Sequence, residues 1–100
     1  MDRIIWSPSA VADLESIHEF ISRDSPNYAA ELVEDLLAGP YQLLNFPRIG
    51  RVVPGFGQEQ LRELLIGSYR VVYELFSDRI EIVGVIHGRR DMPSALLDPE

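Results

Sequence analysis

The sequence contains neither cysteine nor lysine. The absence of cysteine excludes a disulfide framework and any metal site built on thiolates. No apolar run approaches the roughly 18 residues that a membrane-spanning helix needs, and the first residues lack the apolar stretch of a secretory signal. We therefore expect a cytoplasmic protein that does not span a membrane.

Basic residues are few: the sequence has nine arginines and 16 acidic residues, which give a net charge of −7. Nonspecific binding to nucleic acid draws on many phosphate contacts, so this balance argues against a wide polyanion-binding surface. The charges are also unevenly distributed, because the first half carries much of the acid beside three arginines, whereas six arginines lie between Arg51 and Arg90. We expect a polarised electrostatic field.

The first half has the pattern of a short strand followed by a helical hairpin. Residues 3–7 are rich in β-branched and aromatic side chains. Ser7-Pro8 and Ser25-Pro26 predict two helix starts, because serine caps a helix and proline fits its first position. Apolar spacings of three and four extend these helices over residues 8–23 and 26–38. Gly39-Pro40 should end the second helix, with one or two further helical turns before a loop at residues 47–57.

The second half changes to a period of two. This change predicts strands at residues 61–66, 69–76 and 79–87, joined by short turns into an antiparallel meander. Strict alternation in the last strand puts one set of side chains on a shared face: Ile80, Ile82, Gly84 and Ile86. The order β-α-α-β-β-β predicts an α+β fold, in which an N-terminal strand and an α-helical hairpin pack on a small antiparallel sheet. Residues 1–91 form a single domain in this interpretation, and residues 92–100 form a tail.

Several segments in this order resemble the RelE/ParE toxin superfamily, in the form of its ParE-like (plasmid stabilisation) members. They are Ile5 to Ala10, Phe46 to Pro54, Arg62 to Leu64 with Tyr69 to Tyr73, and Ile82 to Asp91. The resemblance implies the toxin of a type II toxin–antitoxin system, without a cofactor. It also implies a hetero-oligomer with a cognate antitoxin that is ParD- or RelB-like and begins with a ribbon-helix-helix or similar domain.

The resemblance leaves two targets open. ParE-type toxins inhibit DNA gyrase by binding, whereas RelE-type toxins cut messenger RNA on the ribosome without a metal. Such cleavage needs an acid, a base and a cation at one phosphate, and Arg70 and His87 are the candidates here. The lysines of many nuclease members are missing, and Gly88 to Asp91 stand where those members keep a tyrosine or histidine. These departures favour the gyrase inhibitor; the endonuclease and a non-toxic homologue acting only within the antitoxin complex are the alternatives.

The candidate target- or antitoxin-binding residues are the basic side chains late in the chain: Arg62, Arg70, His87, Arg89 and Arg90. Arg62 and Arg70 also have a structural interpretation as solvated or paired strand arginines, and His87 has one as a polar histidine at a strand end. Arg62 and Glu63 are neighbours in a strand, so they should point to opposite faces. His18 and His87 are far apart and lack a third ligand, so we expect no metal.

Overall fold

The computed structural model describes residues 3–88. Arg89, Arg90 and the predicted tail at residues 92–100 lie outside the described residues. The elements, in chain order, are β1 (Ile4–Trp6), α1 (Pro8–Ser22), α2 (Pro26–Ala38), a 3₁₀ helix (Gly39–Leu44), β2 (Arg51–Val52), β3 (Leu61–Ile66), β4 (Tyr69–Leu75) and β5 (Ile80–His87). The predicted α+β fold is confirmed. None of the helices in this part of the chain is long and apolar enough to cross a membrane.

Both helices begin at the predicted Ser-Pro pairs, but the two serines act differently. The Ser7 hydroxyl accepts a hydrogen bond from the backbone N–H of Ala10 at 3.1 Å, which caps α1. The side chain of Ser25 makes no such bond. Its backbone carbonyl accepts a hydrogen bond from the N–H of Ala29 at 3.0 Å. Beyond α2 the chain continues directly as the 3₁₀ helix, because Pro40 fits the first turn of a new helix.

The five strands form one sheet in the order β1-β5-β4-β3-β2. The predicted meander of β3, β4 and β5 is antiparallel. The edge strand β1 joins β5 in parallel, with Ile4 opposite Ile80. The other edge is β2, which lies within the predicted loop and pairs antiparallel with β3. Two residues among glycines and prolines give too short a pattern to reveal a strand in the sequence.

Both faces of the sheet carry apolar side chains. The face toward the helices holds the larger cluster, whose buried members are Ala10, Leu14, Leu32, Leu36, Leu43, Leu64, Val71, Tyr73, Ile80, Ile82 and Val85. Trp6 packs against the edge of this cluster. The face away from the helices, here called the outer face, holds a smaller cluster of Val53, Leu61, Val72 and Ile86, with Phe56 and Val83 packed on it. The segment after β2 therefore covers part of the outer face.

A β-bulge at Val83 overturns the predicted alternation in β5. Consecutive residues of β4 pair with Ile82 and Gly84, so Val83 is an extra residue without a partner in the ladder. Beyond the bulge the faces exchange: Val85 joins the helix-facing cluster, while Ile86 packs on the outer face. The prediction that Ile82 shares a face with Gly84 and Ile86 was therefore wrong.

Helix α1 supplies the polar groups that the bulge requires. The Ser9 hydroxyl donates to the carbonyl of Val83 at 3.1 Å. The Asp13 carboxylate accepts from the backbone N–H of Val85 at 2.9 Å. Because an interrupted ladder would otherwise leave backbone groups unsatisfied, these two contacts fix both the bulge and the position of α1 on the sheet.

Candidate functional site

A fully buried carboxylate, that of Glu63, organises the arginines of the outer face. One of its oxygens accepts from Nη1 of Arg70 at 3.2 Å, and the other accepts from Nε of Arg51. The side chain of Arg70 is only 10% exposed, whereas that of Arg51 is 65% exposed. Arg70 reaches Glu63 because the register of the strands places Glu63 opposite Val72, two residues along the same face from Arg70.

Arg62 lies on the helix-facing side and contacts backbone groups of its own chain. Its Nε donates to the carbonyl of Glu59 at 3.0 Å, and its Nη1 donates to the carbonyls of Gly50, at 2.9 Å, and Arg48, at 3.4 Å. The side chain is 12% exposed. Arg62 and Glu63 therefore lie on opposite faces, as predicted. In this arrangement Arg62 holds the segment between the 3₁₀ helix and β2.

Tyr73 holds the same segment from the core. Its hydroxyl donates to the carbonyl of Pro47 at 2.9 Å and accepts from the N–H of Gly50 at 3.0 Å. Burial raises the pKa of Tyr73, and this effect outweighs the lowering by the Gly50 hydrogen bond and by the nearby charges of Arg62 and Arg48. A Cβ on Gly50 would lie 2.5 Å from this hydroxyl, so glycine is needed here. Sequence reasoning missed this role, although a tyrosine on an apolar strand face signals a hydroxyl that needs a partner.

His87 ends β5 on the side of the sheet opposite to Arg70. It pairs across the strands with Tyr69, and the two rings meet edge to face with centroids 5.4 Å apart. Tyr69 lies on the helix-facing side, where burial and then Tyr28 raise its pKa. Successive strand residues point to opposite faces, so Arg70 is directed to the outer face. The sheet thus separates Arg70 from His87, and it brings Arg70 together with Arg51 instead.

An open apolar groove of about 580 Å³ runs between β1 and the two helices. Its apolar lining includes Trp6, Val11, Leu14, Val33 and Leu37, and its polar lining includes Glu15, His18 and Glu19. Val11 and Leu37 are each 42% exposed although both are large apolar residues. Within residues 3–88, no cluster of histidine and acidic side chains is arranged to hold a metal ion. The exposed apolar lining of the groove is typical of a surface that binds a macromolecular partner.

Comparison with known proteins decides the family. A model of the ParE toxin of the type II toxin–antitoxin system parDE matches residues 4–92. The chain belongs to this family. A Sinorhizobium fredii protein named as toxin Y4kP is 31% identical over 96 residues, covering 94% of this chain and 96% of that protein. The Caulobacter vibrioides toxin RelE2 is 29% identical over 91 residues, covering 90% and 99%. The predicted role as a type II toxin is thereby confirmed.

Solved structures share the fold of the toxin. A chain of the chromosomal ParDE system of P. aeruginosa has a TM-score of 0.71 at 20% identity, covering 87% of this chain and 96% of that one. A chain of the RelBE2 toxin–antitoxin complex of Mycobacterium tuberculosis gives 0.59 at 18% identity, covering 86% and 96%. The YoeB/ParE toxin of Agrobacterium tumefaciens gives 0.59 at 19% identity, covering 87% and 98%.

Proposed function

We propose that the toxin inhibits DNA gyrase by binding to it and does not cut RNA. The supporting observation is the separation of Arg70 from His87 by the sheet. Metal-independent RNA cleavage needs a cation and an acid–base group within hydrogen-bond reach of one phosphodiester. Two side chains on opposite faces do not meet that requirement. Moreover, Arg70 is paired with the buried carboxylate of Glu63, which it shares with Arg51.

The groove between Trp6 and the two helices is the proposed site of the cognate antitoxin. Its apolar lining would receive apolar anchors from a partner segment, which is the usual way in which an amphipathic segment docks. We infer an antitoxin of the ParD or RelB kind, with a ribbon-helix-helix or similar domain, in a hetero-oligomer with the toxin. The related ParDE and RelBE2 structures are themselves toxin–antitoxin systems. A stable complex should bury more than about 1,200 Å², and we place it in the cytoplasm, where gyrase acts.

Arg89 and Arg90, which follow β5 in the sequence, are the proposed gyrase contacts, and the exposed His87 is a further candidate for contact with the target or the antitoxin. Arg62 and Arg70 are largely buried and act within the fold. Arginine is a common anchor of protein interfaces, and it contributes little stability where it is solvated. The double substitution Arg89→Ala/Arg90→Ala should therefore abolish toxicity and leave the fold intact. Circular dichroism of the purified variant provides the control for folding.

Growth arrest in cells tests the proposed target. Expression of the toxin without its antitoxin should induce the DNA damage response, and messenger RNA should remain uncut. Cuts at defined sites within translated codons, without the damage response, would replace the proposal by the messenger RNA endonuclease. A toxin that arrests no growth would identify the non-toxic homologue instead.

A further inference from the structure

A surface loop beside β2 presents two apolar side chains to solvent. Phe46 is 62% exposed and Ile49 is 54% exposed. Together with Pro47 and Arg48 they line a shallow depression of about 410 Å³. We call residues 46–49 the anchor loop. An exposed cluster of this kind is a marker of an interaction site, unlike single apolar residues scattered over a surface.

Hydrogen bonds from two largely buried side chains hold the backbone of the anchor loop. Tyr73, which is inaccessible to solvent, bonds the carbonyl of Pro47, and Arg62 bonds the carbonyl of Arg48. The backbone N–H of Ile49 donates to the carbonyl of Phe46 at 3.1 Å, which closes the turn. A preorganised apolar anchor loses little conformational entropy when a partner binds. The fold thus fixes the loop's backbone while leaving its apolar side chains in water.

The charges around the anchor loop distinguish it from the helical hairpin. Residues 45–63 contain three arginines and two glutamates, whereas residues 8–38 contain seven acidic residues and one arginine. Arg48 is 61% exposed, and its ion pair with Glu59 at 2.6 Å is solvated, so that pair is easily exchanged for another carboxylate. The acidic hairpin would repel an acidic partner, whereas the arginines around the anchor loop would attract it.

We propose that the anchor loop is a contact surface for the toxin's protein target, an acidic surface with an apolar cleft that receives Phe46 and Ile49. Arg48 would pair with a carboxylate at the rim of that cleft. Aliphatic Ile49 has no ring to stack on a nucleotide base, which favours a protein over a single-stranded nucleic acid. This inference deepens the proposed function, on which it rests for the existence of a protein target, and it separates the target surface from the antitoxin groove.

The test compares Phe46→Ala/Ile49→Ala with the control Phe20→Ala, which removes a similarly exposed ring from α1. Growth arrest on expression measures target engagement, and calorimetry with the purified antitoxin measures the other interface. The double variant should need about 10-fold or more toxin for the same arrest, as for the loss of central interface anchors. Its antitoxin affinity should change less than threefold, and the Phe20 variant should match the wild type in growth arrest. A charge reversal, Arg48→Glu, should weaken toxicity further when added to Ile49→Ala.

The contradicting results are distinct from those that contradict gyrase inhibition. Full toxicity of the double variant, loss of its antitoxin affinity in place of toxicity, or a wild type without toxicity would each overturn the proposal. The proposal would also be overturned if the wild type cleaves RNA and the double variant retains that activity. Normal gyrase supercoiling in the presence of wild-type toxin would refute gyrase as the target. In that case, loss of growth arrest in the double variant would still support a contact surface for another protein.

Discussion

Glu63 and Arg70 form an ion pair on the outer face, in which Nη1 of Arg70 lies 3.2 Å from Oε1 of Glu63. The side chain of Glu63 is fully buried. Arg51 binds the same carboxylate from the more exposed side. The desolvation cost of a buried charge is large, and it is offset only while the partners remain in place. The triad therefore couples strands β2, β3 and β4 to one buried group.

Removal of this carboxylate should destabilise the fold. Glu63→Gln keeps the shape but leaves Arg70 without its buried counter-charge, so the free energy of unfolding should fall by about 3 kcal/mol or more. Urea unfolding followed by circular dichroism measures the change. The matched control is Glu59→Gln, whose side chain is 72% exposed and pairs with Arg48 in water; its effect should stay below about 1 kcal/mol. Equal effects of the two substitutions would contradict the structural role of Glu63.

Stability should fall in alkaline solution because of the raised pKa of Tyr73. An unfolded tyrosine loses its proton near pH 10, while the buried one keeps it, so ionisation favours the unfolded chain. The contribution of the neutral hydroxyl is thus complete below about pH 10 and is lost as the pH rises through the higher folded value. The urea concentration at the midpoint of unfolding should decrease as the pH is raised from about 9 to about 11.

Tyr73→Phe provides the control for this pH dependence. The decrease in stability at alkaline pH should become shallower in this variant, and the remaining decrease should come from Tyr69, whose pKa is also raised by burial. At neutral pH Tyr73→Phe should cost about 1–3 kcal/mol, because the N–H of Gly50 loses its buried acceptor. An alkaline drop of unchanged size in this variant would show that Tyr73 is not the responsible group.

The bulge in β5 should depend on Asp13. Asp13→Ala removes the acceptor for the N–H of Val85, a residue only 3% exposed, and should cost about 1–3 kcal/mol. Asp13→Asn keeps an oxygen acceptor and should lose less than half as much. Asp24→Ala, at the exposed turn between the helices, should be neutral within about 0.5 kcal/mol. Thermal unfolding of the three variants ranks their losses of stability. An Asp13→Ala variant as stable as the wild type would contradict a stabilising contact between Asp13 and Val85.

Antitoxin affinity should depend on the groove residue Leu37. Leu37→Asp places a charge in an apolar lining and should weaken antitoxin binding by about 100-fold, since burying an unpaired charge is costly. The toxin's own stability should change little, because this side chain is already 42% exposed. Calorimetry with the antitoxin gives the affinity, and Phe20→Asp, outside the groove lining, serves as the control. Unchanged affinity of the Leu37 variant would place the antitoxin elsewhere.

The sequence predicted the helices and every strand except β2, but it did not predict the contacts across the sheet. Ser7, Pro8 and the apolar spacing that follows them determine α1 locally, and the period of two after residue 61 does the same for the meander. These signals lie within single elements. The extra residue Val83 breaks the period of two without any change in residue type, because both neighbours of the bulge are apolar. Strict alternation therefore failed from Gly84 onward.

The candidate site shows the same limit more sharply. Glu63 and Arg70 are seven residues apart, and only the register of β3 on β4 makes them partners. Nothing in the local sequence distinguishes Arg62, which holds the loop, from the exposed Arg51. The faces occupied by Arg70 and His87 also depend on strand pairing. A single sequence contains the residue types of a site but not the register that assembles them.

DNA supercoiling by purified gyrase, with in vitro translation measured in parallel, tests the central claim most directly. The account predicts that wild-type toxin blocks supercoiling, that antitoxin restores it, and that translation proceeds at its normal rate. The Arg70→Ala and His87→Ala variants should lose far less inhibition than a nuclease would lose on removal of one acid–base group, which is about 100-fold or more. Normal supercoiling together with toxin-dependent cleavage of messenger RNA on the ribosome would contradict the claim.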